Sequence, residues 1–347
     1  MLYVATRKGL FTLDGGKIKH VSFLGVPVTT VLPAKDAVYA AVGHGHFGVK
    51  LHKSTDRGAS WSEIPGPQYP AKPEGVEELE PFRKIPIPWN LELLWTLEQA
   101  PDGAIWAGTI PGGVFRNGEL VRSLWDRPER KQWTGGGYDY PGAHSIVFAG
   151  SQVLVGISTG GVWRSEDGGA NWQISSKGMW AAYLPPELKD NENMQDVHRL
   201  ARCKAKPESV WAQHHNGAFH SGDGGRTWTE IHPQPSSFGF AVAAHPKDPR
   251  TAWFVPAVKD ETRVPVDGKL VVSRTRDGGK TFEALGKGLP QEHAYDLIYR
   301  HALDVDDTGT RLAIASTTGS LWTSDDGGDS WRTVSANLPP AYALRFG

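Results

Sequence analysis

The stretch SDDGGDSW, Ser324 to Trp331, sets two adjacent carboxylates, a glycine pair and a tryptophan side by side. Asp325 and Asp326 are either an acid/base pair or part of a turn whose geometry needs a carboxylate. Repetition decides between them. STDRGASW runs from Ser54 to Trp61, SEDGGANW from Ser165 to Trp172, SGDGGRTW from Ser221 to Trp228, and a variant, TRDGGKTF, from Thr275 to Phe282. The shared pattern is S/T-x-D-x-G-x-x-W/F, with its carboxylate at Asp56, Asp167, Asp223, Asp277 and Asp326. The last four stand 56, 54 and 49 residues apart, and the first gap, 111, is two periods. A degenerate copy is therefore expected between Asp56 and Asp167, at the turn Asn117-Gly118. Asp bonds its own turn backbone, Gly tolerates positive φ, and Trp supplies apolar area, so the repeated aspartates read as structural.

A period near 50 divides 347 residues into seven units. Each reads as an apolar strand, a second strand such as SVWAQ, a third such as GAFHS, the Asp turn, and an outer strand such as WTEI. Stacked all-β units of this size form propeller blades. The expected blades span roughly 27–64, 92–126, 143–174, 196–231, 238–285 and 294–334. The seventh combines 342–347 with 1–23: AYALRF supplies its inner strand, and LYVAT, GLFTL and KIKHVSF the other three. Pairing the two ends closes the ring and removes exposed edges. The fold class is all-β, a single seven-bladed β-propeller over residues 1–347.

On these turns the chain resembles the BNR/Asp-box family of sialidase-like propellers over essentially its whole length. The resemblance implies that each box is a hairpin turn between the third and fourth strands and does no chemistry. It also implies a glycosyl-hydrolase-like protein. The sialidases themselves have six blades, an arginine triad and an F-R-I-P motif. PFRKIP, Pro81 to Pro86, is the nearest match, but Lys84 interrupts it, so Arg83 is a weak counterpart. Another glycosidase of this type, such as a xyloglucanase, needs two carboxylates flanking the bond, for which Glu92, Asp139, Asp196 and Asp296 are the candidates.

Function is then sought where the repeat is broken. Three connections on one face are long: Gly66–Asn90, Asp126–Gly142 and Ser175–Gln195. Long irregular loops more often build pockets than decorate surfaces. Aligning the inner strands puts His144, His198 and His301 in one position, with Glu92, Phe240, Thr29 and Tyr342 in the other blades. This position lies near the mouth of the axial channel. The adjoining loops add His214 and His215, His44 and His46, and Arg7 and Lys8. Convergent imidazoles with a nearby carboxylate suit a divalent transition metal, so His144, His198 and His301 are expected as its ligands. Glu92, His198 and His214 are expected to be catalytic, with a histidine as general base where no metal is bound. Arg7, Trp89, Tyr138, Asp139, Asp196, His215 and Asp296 are expected to bind substrate. The insertion Val258–Lys269 reads either as a lid over the mouth, with Arg263 or Lys259 touching substrate, or as a solvated extension, the preferred reading.

Three function classes stay open. The first is a pocket that binds, and hydrolyses or cleaves, a polar small molecule or saccharide. The others are a histidine-ligated metal enzyme and a non-catalytic scaffold. A net charge of −1 gives no field for nucleic acid or an anionic membrane, and neither partner is expected. No apolar run reaches the ~20 residues of a membrane helix. The single cysteine, Cys203, allows no internal disulfide, which suits the cytoplasm.

Overall fold

Every repeat of the sequence folds into one antiparallel sheet of four strands, seven sheets in all, in the computed structural model, which describes residues 1–347. The inner strands are Val28–Pro33, Leu93–Gln99, Ala143–Ala149, Val197–Arg202, Gly239–Ala244, Leu303–Val305 and Ala341–Phe346. Each packs against the next and the last against the first, so the ring is closed around a central channel. In the closing blade, Ala341–Phe346 pairs with Leu2–Thr6, with Val4 opposite Leu344; Gly9–Asp14 and Lys17–Ser22 follow outward. The inner strand of each sheet forms that sheet's edge on the channel, and the closure completes the seventh sheet from both chain ends.

The repeated turns hold themselves. In SEDGGANW, Asp167 Oδ1 accepts the Asn171 amide at 2.9 Å and the Ser165 hydroxyl at 2.8 Å. Its Oδ2 accepts the Asn171 side-chain amide, and the Gly169 amide donates to Ser165 Oγ at 2.8 Å. Gly169 sits at φ 94°, closed to L side chains. The other four copies repeat the aspartate's main-chain bond, to Ser60, Thr227, Thr281 and Ser330. Asn117 (φ 51°) and Gly118 (φ 85°) make a two-residue hairpin joining Arg116 to Glu119, so the degenerate copy keeps the turn and loses the carboxylate.

Tryptophans from these turns pack between blades. Trp172 joins Trp106 of the preceding blade, and Trp331 joins Trp253. Burying such a ring removes on the order of 200 Å² from water, about 5 kcal/mol before entropy is counted.

The three long connections interlock on one face. Arg130 forms a bidentate pair with Glu78, both buried, and its guanidinium lies 3.8 Å from the centre of the Trp125 ring. Trp89 Nε1 donates to the same carboxylate at 3.0 Å. Asn193 then ties the third loop to the second, accepting from Trp133 Nε1 and donating to the Glu129 carbonyl.

Candidate functional site

Near the mouth, six of the seven inner strands gain a residue. The pairing register slips at Val28/Thr30, Leu94/Thr96, Ala143/Ser145, Val197/Arg199, Gly239/Val242 and, in the closing blade, opposite Ala341 and Ala343. A bulge leaves one residue unpaired and re-aims its side chain. The residues so released are Thr29, Trp95, His144, His198, Phe240 and Tyr342, and His301 stands at the equivalent place before Leu303. The residues aligned in the sequence thus fall on the bulge in five blades and at the equivalent place, His301, in a sixth. In the blade 92–126 the alignment was three residues early: Trp95, not Glu92, takes the axial position.

Six of these seven side chains line a cavity of about 1370 Å³ at the axial mouth, roofed by the long connections. His144 is the exception. It is fully buried behind Trp95, 5.3 Å between ring centres, and its Nε2 has no hydrogen-bond partner.

One blade supplies a cluster on the cavity wall. Asp196 precedes the inner strand, His198 is its bulged residue, and His215 opens the next turn, held by its amide on the Asp196 carbonyl at 2.9 Å. Asp196 Oδ2 lies 3.3 Å from His215 Nδ1 and 3.7 Å from His198 Nε2. The ligand atoms of all three fall within 4.8 Å of one another, and the cluster could hold a metal ion. His198 Nδ1 is 2.7 Å from the Gly239 carbonyl, so that nitrogen carries the hydrogen. Neutral His198 then presents the Nε2 lone pair to a carboxylate, so two acceptors face each other, an arrangement satisfied by a cation, a proton or a water donating to both. Asp196 Oδ1 is buried and unpartnered. Burial favours the neutral Asp196, but His198, His215 and Arg300 outweigh it and hold the carboxyl well below its usual range. His215 is pulled down by burial and pushed up more strongly by its contact with Asp196.

The residues expected at the site divide into three groups. Asp196, His198 and His215 are brought together. Glu92, Tyr138, Asp139 and His301 line the same cavity. Glu92 is exposed and accepts from the Asn90 side chain, while Tyr138 meets Trp95 edge-on with ring centres 4.8 Å apart. Arg7, Trp89, His214 and Asp296 do not line it. Trp89 is engaged by Glu78 and Asp296 by the Thr318 hydroxyl. His214 ends its strand facing inward against Phe219, and burial pushes its pKa down to about 3. The ligand set His144, His198 and His301 is not assembled. His301 Nε2 bonds the His144 main-chain carbonyl at 2.7 Å, and both rings are held well below neutrality by burial.

Two further features line the cavity. The insertion Val258–Lys269 is not merely a solvated extension: its Asp260 and Arg263 line the cavity, and Arg263 Cζ lies 5.3 Å from the Phe240 ring centre. Arg300 also lines it, between Trp95 and Phe240 at 5.1 Å from each ring centre. A signal for Arg300 was present. The residues preceding the bulged position elsewhere are Val28, Leu94, Ala143, Val197, Gly239 and Ala341; only this blade has a charge there.

No family model matches the chain, and no curated protein matches it. Solved structures do. A GH74 xyloglucanase from Xanthomonas campestris is 16% identical with a TM-score of 0.63, covering 96% of this chain and 52% of its own. An ancestral GH74 enzyme is 15% identical with a TM-score of 0.56, over 96% and 40%. YCF48 from Cyanidioschyzon merolae is 13% identical with a TM-score of 0.56, over 90% and 87%. The chain spans about half the length of the xyloglucanase it matches. Glycoside hydrolases and YCF48 alike share the architecture, and at these identities what is common is the fold: the chain is a seven-bladed β-propeller.

Proposed function

We propose that the axial cavity binds a polar small molecule or saccharide and hydrolyses or cleaves it with a divalent transition metal held by Asp196, His198 and His215. The observation that carries this is the Nδ1–H of His198 fixed on the Gly239 carbonyl. A ligating histidine commonly donates its other nitrogen to a carbonyl, which orients the ring and raises its basicity. Two imidazoles and one carboxylate with an open side are the donor set of borderline divalent metals. Such an ion polarises a bound oxygen or lowers the pKa of water. The chain's own residues then have distinct tasks. Phe240 stacks on His198 at 4.5 Å with ring planes 12° apart and covers one face of the imidazole. Trp95 and Tyr138 offer aromatic faces to a ligand.

A metal-free reading has one observation in its favour, the 3.3 Å contact of His215 with Asp196. There Asp196 orients His215, which takes a proton from the attacking water as general base.

Elemental analysis of untagged protein, purified without chelator, separates the two. The expected result is a stoichiometric transition metal in the native chain and in His301→Ala, lost from Asp196→Asn and His198→Ala. Native protein free of metal, after incubation with zinc, manganese and iron in turn, sinks the metal reading and leaves the Asp196–His215 base.

A further inference from the structure

We propose that Arg300 anchors a carboxylate group on the ligand of the axial cavity. This takes the cavity as the ligand site, as above, and does not depend on the metal. The cationic side chains of the wall are otherwise satisfied. Arg83 Nη1 donates to the Tyr138 carbonyl at 2.7 Å with Asp139 beyond, and Arg263 is paired with Asp260. Arg300 has no hydrogen bond or ion pair, and its Nε is buried without a partner. A guanidinium carries five donors and stays charged: the buried Nε is left without an acceptor, which is costly, and the half-buried side chain turns its Nη groups to the cavity, where a ligand can reach them.

The surroundings define what can complete it. Trp95 and Phe240 attract the cation through their ring faces and keep its orientation fixed. Burial opposes its charge, and the Asp196 carboxylate offsets part of that opposition. An incoming anion must therefore pair with Arg300 while tolerating Asp196 nearby. A singly charged, planar carboxylate meets both demands: it matches the guanidinium fork with two parallel N–H···O bonds. A doubly charged phosphate would be repelled more strongly by Asp196. Phe240 touches both centres, with His198 stacked on its ring and Arg300 over it. A ligand held at Arg300 by its carboxylate thus extends along the same wall towards the Asp196 cluster. This points to hydroxy acids and uronic-acid-type sugars.

Calorimetric titration tests the assignment. The probes are glycolate, lactate and glucuronate, each against its neutral amide, with inorganic phosphate as a further arm. The expected outcome is that the acids bind native protein and the amides bind at least about 30-fold more weakly, the loss of a charge-assisted pair. Arg300→Gln should lose a similar factor for the acids alone, and Arg300→Lys should fall between, keeping charge but losing the fork. The acid-against-amide comparison needs no variant, so it stands even where Arg300→Gln does not fold. Acids binding no better than amides, no acid binding at all, a folded Arg300→Gln that binds acids as native protein does, or phosphate binding more tightly than every acid would each overturn the proposal. Metal content, measured on the same samples, is independent. Acid binding through Arg300 in metal-free protein overturns only the metal, and retained metal with no acid preference overturns only the anchor.

Discussion

The ring of His301, in the sixth blade, reaches the main-chain carbonyl of His144, in the third, at 2.7 Å. These blades face each other around the ring, so the bond crosses the bore beneath the cavity. It accounts for the buried His301 imidazole without assigning it to chemistry; His144 contributes its main-chain carbonyl, not its ring. His301→Ala should remove a buried donor, leave the His144 carbonyl unpaired and cost about 1–3 kcal/mol in denaturant unfolding. Metal content and ligand affinity should be little changed. A variant as stable as the native chain would show that the bond contributes nothing.

The Arg130–Glu78 pair fixes two of the loops that roof the cavity. Breaking it from one side strands a buried charge, so Arg130→Met should destabilise by about 3–5 kcal/mol. The double variant Arg130→Met with Glu78→Gln should recover part of that loss. Equal unfolding midpoints for the single variant and native protein would place the pair outside the energetics of the fold.

The turn aspartates predict an acid limit. Bonds from the Thr281 hydroxyl and amide hold Asp277 at about 2, and the Asn171 side chain and amide hold Asp167 at about 2. Folded values below the unfolded ones mean stability that is complete above the unfolded carboxylate pKa, near 4, and lost as pH falls towards 2. The unfolding midpoint should therefore drop between about pH 4 and 2, and Asp277→Asn should flatten part of that drop. An unchanged slope in the variant would remove Asp277 from the linkage.

Gly225 sits at φ 85°, and a Cβ there would meet Leu154 Cδ1 at 2.7 Å. Gly225→Ala should cost about 2 kcal/mol or more, from left-handed strain and overpacking together. Gly15, also left-handed but with open space around it, gives the strain alone. Thermal unfolding of the two alanine variants should rank Gly225 as the more damaging; the reverse order would mean Leu154 yields freely.

The architecture was legible because each Asp turn must satisfy its own donors, and that requirement writes the same residues every 50 or so positions. The site was legible only in part. A bulge adds one residue without altering the apolar pattern, so LELLWTL gave no mark to distinguish Trp95 from Glu92. In QHHNG, the choice between His214 and His215 depends on where the strand stops. His214 is its last residue and turns into the blade, whereas His215 begins the turn and faces the cavity. The grouping of Asp196 with His198 and His215 was not legible because the repeat marks matching positions in different blades, while these ligating atoms meet within one. Arg300 carried a readable signal, a charge where six other blades are apolar.

The bulged residues also bear on how such a protein can change. Each stands outside the ladder of its own sheet, so its identity is not constrained by strand pairing, and across the seven blades it ranges over threonine, tryptophan, histidine, phenylalanine and tyrosine. The scaffold therefore separates inheritance from specialisation. The outer turns keep one formula to preserve the wheel, while one loose residue per spoke is left free to be rewritten for a different ligand.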